Sequence, residues 1–100
     1  MVDELIRQAI AESRVVAFRH RGQRRIGEPQ LYGKANGEPQ LLLYQTGGSS
    51  FTSGPYPVWR RCSLSEITRF VVTSRTFPGA RLDPKGEHPD WDEVWAIVGG

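Results

Sequence analysis

Eleven of the thirteen basic residues in this chain are arginines, and five of them crowd into Arg14 to Arg25, RVVAFRHRGQRR, around His20. Arg60 and Arg61 follow in VWRRCSL, next to Trp59. A guanidinium is a planar fork of donors suited to phosphate and carboxylate. Tyr44, Tyr56 and Trp59 could stack on a base beside such a fork, an interaction worth roughly 1–3 kcal/mol per base. Recognition of an anion, nucleotide-like or nucleic acid, is therefore the chemistry these residue types offer. The competing reading is that the arginines are solvated strand decoration, because net charge alone argues only solubility and non-specific attraction.

Catalysis has little support in the same residues. His20 and His88 stand far apart with no obvious partners, and a polar aromatic filling a strand position accounts for His20. Cys62 is the only cysteine, so no intrachain disulfide exists and a small buried side chain explains it. No GxGxxG, P-loop, HExxH or GxSxG is present, and no Cys/His cluster. The expectation is a binding protein, not an enzyme, with no cofactor and no metal.

The elements that must position the arginines read as mainly β. From Val16 to Arg21 apolar and charged residues alternate, the period of a strand with one face on a core. Val16, Phe18 and His20 fall on one face, Val15, Ala17, Arg19 and Arg21 on the other. Gly22-Gln23 is the expected turn, and a second strand runs from about Arg24 to Tyr32, with Pro29 marking an edge or bulge. In this reading Arg25 sits across the hairpin from Arg19 and Arg21 and joins them in one basic array. Asn36-Gly37 is the strongest turn signal, and LLLYQ, Leu41 to Gln45, suits a strand buried on both faces.

Ahead of these strands, Leu5, Ile6, Ala9 and Ile10 recur at helical spacing within Asp3 to Ser13, with Asp3 as the expected N-cap. Thr46 to Pro57, TGGSSFTSGPYP, reads as a mobile loop. Val58 to Leu64 and Ile67 to Phe77 supply the fourth and fifth strands. In the fifth, strict alternation sets Ile67, Arg69, Val71 and Thr73 against Thr68, Phe70, Val72 and Ser74. The expected core is Phe18, Leu41, Leu43, Ile67 and Phe70 with Ile6 and Ile10. Pro78 to Pro89 has no periodicity. DWDEVWAIV, Asp90 to Val98, fits either a short helix or an edge strand, with a slight preference for the helix because Asp90 and Glu93 resemble a capping box.

A chain of 100 residues supports a single core. The net charge of +2 is uneven: residues 83–100 hold one lysine against five carboxylates, a balance of −4. Residues 1–82 are thus expected to form the barrel domain with its helix, and 83–100 an acidic extension of it. No window approaches the roughly 20 apolar residues of a membrane span, so no membrane contact is expected. Asp3 and Glu4 stand where a signal peptide needs positive charge, so the expected location is cytoplasmic.

Three stretches together resemble the WYL domain family of bacterial regulators: LIRQAIAESRVVAFRHRG, RRIGEPQLYGKANGEPQLLLYQ and WRRCSLSEITRFVVTSRTF. The match spans roughly residues 4 to 77. Pro39-Gln40-Leu41 stands where that family has Trp-Tyr-Leu, and His20 where it has a tyrosine. Arg60 falls on its first motif arginine, while Ser63 and Glu66 occupy the places of the next two. Residues 1–13 leave room for one helix, so a stand-alone, divergent member without a helix-turn-helix is expected. The resemblance implies a mainly β fold with an N-terminal helix, an Sm-like, SH3-type small five-stranded barrel. It further implies a regulatory or ligand-sensing module.

The combined expectation is that Arg14, Arg19, Arg21, Arg25, Tyr44, Trp59, Arg60 and Arg61 bind a nucleotide or single-stranded nucleic acid. The alternative is a protein-interaction or oligomerisation module acting through barrel edges, with a regulator protein or a second copy as partner.

Overall fold

A computed structural model describes residues 2–48, 56–81 and 90–99 of the chain. Helix α1 spans Val2–Ala11 and is followed by strands β1 (Arg14–His20), β2 (Gln23–Ala35), β3 (Glu38–Gly48), β4 (Val58–Ser63), β5 (Ile67–Thr76) and β6 (Glu93–Ile97), with one 3-10 turn at Leu64–Glu66. The expected loops Thr46–Pro57 and Pro78–Pro89 fall partly outside the described residues, at 49–55 and 82–89, and Phe51 and His88 with them.

All ladders are antiparallel, in the order β4-β3-β2-β1-β5. β2 is long enough to hold β3 along one edge and two strands in succession along the other. β1 pairs with Gln23 to Gly27, and β6 with Leu31 to Lys34. Between them lies Gln30, at the bulge where the β2–β3 register shifts between Pro29 and Leu31. The expectation of a bulge at Pro29 is thereby met.

Asp90 to Val98, open between a short helix and an edge strand, takes the strand, against the slight preference for the helix. β2 leaves an edge open beyond Gly27, and a strand there gives its backbone groups partners that a helical turn would leave unmade. Gly33 permits the approach, because a Cβ there would lie 2.1 Å from the Glu93 carbonyl oxygen. Tyr32 then meets Trp95 edge to face at 5.2 Å. Among the described residues no ladder joins β4 to β5, so the result is an open six-stranded sheet and not a closed five-stranded barrel.

Both tight hairpins turn on two residues with positive φ, Arg21 (54°) with Gly22 (76°) and Asn36 (52°) with Gly37 (78°). This geometry matches the twist of the flanking strands. The first turn therefore sits one residue earlier than Gly22-Gln23. Helix α1 lays Ile6, Ala9 and Ile10 on the inner face of the sheet. Asp3 lies inside the first helical turn instead of capping it. Its carboxylate accepts the Tyr32 hydroxyl at 2.7 Å and Arg7 Nε at 3.0 Å, and the Tyr32 bond leads in holding its pKa below the ordinary carboxylate value.

In β5 the strict alternation fails for a local reason. Ala17 pairs with Val71 and Arg19 with Thr68, so β5 carries an extra residue there, and Arg69 takes a positive φ of 54°. The bulge turns Ile67, Phe70 and Val72 to the same inner side. Phe70 stacks on Phe18 with centroids 5.5 Å apart but stays half-buried, whereas Phe18 is buried. Leu41, Leu42 and Leu43 are all fully buried, as a strand covered on both faces requires. Phe18→Ala should therefore cost about 3–5 kcal/mol. Phe70→Ala should cost distinctly less, and chemical denaturation of the two variants would measure the difference.

Candidate anion-binding site

Pairing across the first hairpin decides which arginines face inward. Residues directly opposite in an antiparallel pair share a face. Phe18 is opposite Arg25 and Arg19 opposite Arg24. Arg25 thus joins the inner face and is 9% exposed, while Arg19 and Arg24 point outward. The single expected basic array is divided between two faces. By the same rule Gln45, opposite Gly27, and Arg60, opposite Leu43, face inward.

These inner residues converge on one atom. Arg25 Nη1 donates to Gln45 Oε1 at 3.0 Å, and Arg60 Nε donates to the same oxygen at 3.1 Å. The Gln45 amide nitrogen donates to the Gly47 carbonyl at 2.9 Å and to the Tyr56 hydroxyl at 3.4 Å, and that hydroxyl donates to the Gly48 carbonyl at 3.2 Å. Gln45 is fully buried and tied at both ends. Two cations are therefore gathered by a neutral acceptor. Among the described residues Arg25 has no carboxylate partner, and its buried Nε has no hydrogen-bond partner.

His20 deepens the imbalance. It is 8% exposed, and neither ring nitrogen has a hydrogen-bond partner among the described residues. Burial pushes its pKa below the ordinary 6.5, and Arg25 and Arg21 push the same way against Glu66. Glu66 Oε1 lies 3.7 Å from His20 Nε2, while its Oε2 receives Arg21 Nε at 2.7 Å. That hydrogen bond is the main reason the Glu66 carboxyl stays below its ordinary pKa. Cys62 lies buried beside the cluster, with burial raising its thiol to about 11, so it remains a protonated packing group.

The outer side of the same strands carries the aromatics. Tyr44 meets Trp59 edge to face at 5.0 Å, and the Arg81 guanidinium lies 5.3 Å from the Tyr44 ring centre. Arg81 holds the buried Glu28 carboxylate through two bonds of 2.7 and 2.8 Å. Tyr44, Thr46, Tyr56, Pro57 and Arg81 line an open cavity of about 250 Å³. Tyr56 belongs to both places: its hydroxyl reaches Gln45, and its side chain lines the cavity. Arg61 packs over Trp91 at 4.6 Å on this outer side.

Of the eight residues singled out from sequence, Arg25 and Arg60 come together, as do Tyr44 and Trp59. The others stand apart. Arg14 pairs with Glu12 at 3.4 Å, Arg21 with Glu66, and Arg19 donates to the Gly22 carbonyl at 3.2 Å. Arg19 joins Arg24 and Arg69 around a separate shallow depression of about 120 Å³. Sequence reasoning missed Gln45, Arg24, Arg69, Arg81 and Glu28. A glutamine ending LLLYQ was the one available signal, a polar residue closing an apolar strand.

Comparison with protein-family models, with curated proteins and with solved structures finds no match to this chain. Among the described residues no helix is long and apolar enough to cross a membrane, and no group of three His, Cys, Asp or Glu side chains is placed to hold a metal ion.

His20 gives the site a pH signature. Its folded pKa is depressed, so the unfolded chain takes up the proton first and stability falls as pH drops through 6.5. Glu66 is held ionised to below 4.5 and does not titrate in that range. Between about pH 7.5 and 5.5 the parent should therefore lose more stability than a His20→Gln variant, as measured by urea titration at each pH.

Proposed function

We propose that this chain is a small ligand-sensing module of the WYL type, its sheet an opened version of an Sm-like, SH3-type barrel. It acts by binding a nucleotide-like ligand. A helix followed by four strands paired in succession, with β5 returning beside β1, supports the architectural part.

The observation that carries the functional part is the convergence of Arg25 and Arg60 on the Gln45 amide oxygen, with buried His20 beside them. A buried cation without a carboxylate is costly unless something supplies the missing negative charge. A phosphate does so, and it accepts from guanidinium forks in the geometry they prefer. Tyr56 connects this cluster to the cavity bounded by Tyr44 and Arg81, whose size and aromatic lining suit a nucleobase. The ligand's phosphate replaces Gln45 Oε1 as acceptor, and its base lies against Tyr56, at the end of β3 where the two places meet. Arg19, Arg24 and Arg69 occupy another face and take no part.

Thermal denaturation with a nucleoside, its monophosphate and inorganic phosphate tests the proposal. The monophosphate should raise the melting temperature most, and inorganic phosphate less. Arg60→Gln should abolish both shifts. Arg25→Met should abolish them while leaving the ligand-free protein as stable as the parent or more so, since a buried unpaired charge is removed. Equal shifts from nucleoside and monophosphate, or an undiminished shift in both variants, would contradict it.

A further inference from the structure

β5 ends the sheet. β1 occupies one of its edges, and among the described residues no strand pairs with the other. Natural sheets blunt an open edge or use it, since its unpaired N–H and C=O groups are a template for another strand. Here the flanks of that edge differ sharply in chemistry. On the inner side, Leu5 and Gln8 of α1 face Phe70 and Val72 across an open groove of about 510 Å³, with the Glu12–Arg14 ion pair among its lining residues. On the outer side Val71 is 54% exposed, and Arg69 and Arg75 lie exposed on either side of it in the strand. Neither arginine has an ion-pair partner among the described residues. Arg69 moreover keeps a left-handed backbone, which a non-glycine residue seldom adopts and which clusters at functional positions.

We infer that the free edge of β5 takes up an extended segment of an acidic partner protein, whose side chains alternate between apolar and carboxylate. Period-2 geometry dictates that pattern. Side chains on one side of the added strand enter the groove against Leu5, Phe70 and Val72. Those on the other reach Arg69 and Arg75. A second copy of this chain is a poor occupant, because antiparallel pairing of two β5 edges brings the Arg69 and Arg75 charges of both copies together. Like charges opposed across a ladder are destabilising. An acidic strand reverses the sign of each of those contacts.

The test is fluorescence anisotropy with the full chain and a labelled nine-residue peptide of alternating Glu and Val. Controls are a peptide of the same composition with the glutamates in one block, a Lys/Val version, and two N-methylated versions with alternate amides blocked in one frame or the other. The alternating Glu/Val peptide should bind saturably. The blocked-sequence and Lys/Val peptides should bind at least tenfold more weakly. One methylation frame should be tolerated and the other should abolish binding, because only alternate amides of an added strand face the edge. Arg75→Glu, and separately Arg69→Asn, which suits the left-handed backbone, should each weaken binding several-fold. Arg60→Gln should leave it unchanged. Equal binding of the alternating and blocked peptides, indifference to methylation frame, or a labelled oligonucleotide that binds more tightly through the same two arginines would overturn the inference. So would dimerisation of the chain that the peptide cannot compete away.

Discussion

The fold depends on the long antiparallel ladder between β2 and β3, which runs from Ala35↔Glu38 at the Asn36-Gly37 turn to Arg25↔Gly48 at the far end. Because this pair occupies one edge of β2 completely, the other edge must be shared. β1 takes the first part and β6 the last, with the Gln30 bulge as the change-over. The Val98 amide donates to the Gln30 carbonyl at 3.0 Å, so the bulge is also where the chain's last described segment is tied down. The same ladder brings Gln45 opposite Gly27, and so places the amide that gathers Arg25 and Arg60.

The two ends of β2 have been given different work. Near Tyr32 the inner face is closed by apolar and aromatic packing: Asp3 binds the tyrosine hydroxyl, Trp95 meets its ring, and Arg7 lies over both rings at 5.5 and 5.9 Å. Burial, seconded by the Asp3 bond, raises the Tyr32 pKa, so the phenol stays protonated and keeps donating. At the Arg25 end the inner face carries two guanidinium groups on one neutral amide oxygen, with the buried His20 nearby. One end supplies stability through burial and satisfied hydrogen bonds. The other buries the Arg25 guanidinium against a neutral amide, which lowers stability.

Local signals in the sequence were legible where a single residue type dictates the backbone. Asn36-Gly37 and Pro29 announced a hairpin and a bulge, and three leucines announced a strand buried on both sides. Two features escaped for physical reasons. β6 shares its β-branched and aromatic residues with a plausible helical stripe, and only the vacant edge of β2 makes the strand win. The face of Arg25, by contrast, was legible: either turn, Arg21-Gly22 or Gly22-Gln23, sets it opposite an inward residue, Phe18 or His20, and so away from Arg19 and Arg21. Moving the turn by one residue slides the register by two, which changes the neighbour Arg25 meets but not its face. The second feature that escaped is the bulge at Arg69, where one extra residue turns the following side chains to the opposite face and nothing in ITRFVVTSRT marks where it falls.

The central claim is that Arg25, Arg60 and His20 form a desolvated cationic site completed by a ligand phosphate. The most direct measurement follows the side-chain N–H signals of both arginines and the imidazole signals of His20 by NMR while a nucleoside monophosphate is added. The account predicts saturable shifts at both guanidinium Nε–H groups, and a rise in the His20 pKa once the phosphate is bound. Unmoved arginine signals together with an unchanged His20 titration at saturating nucleotide would contradict it.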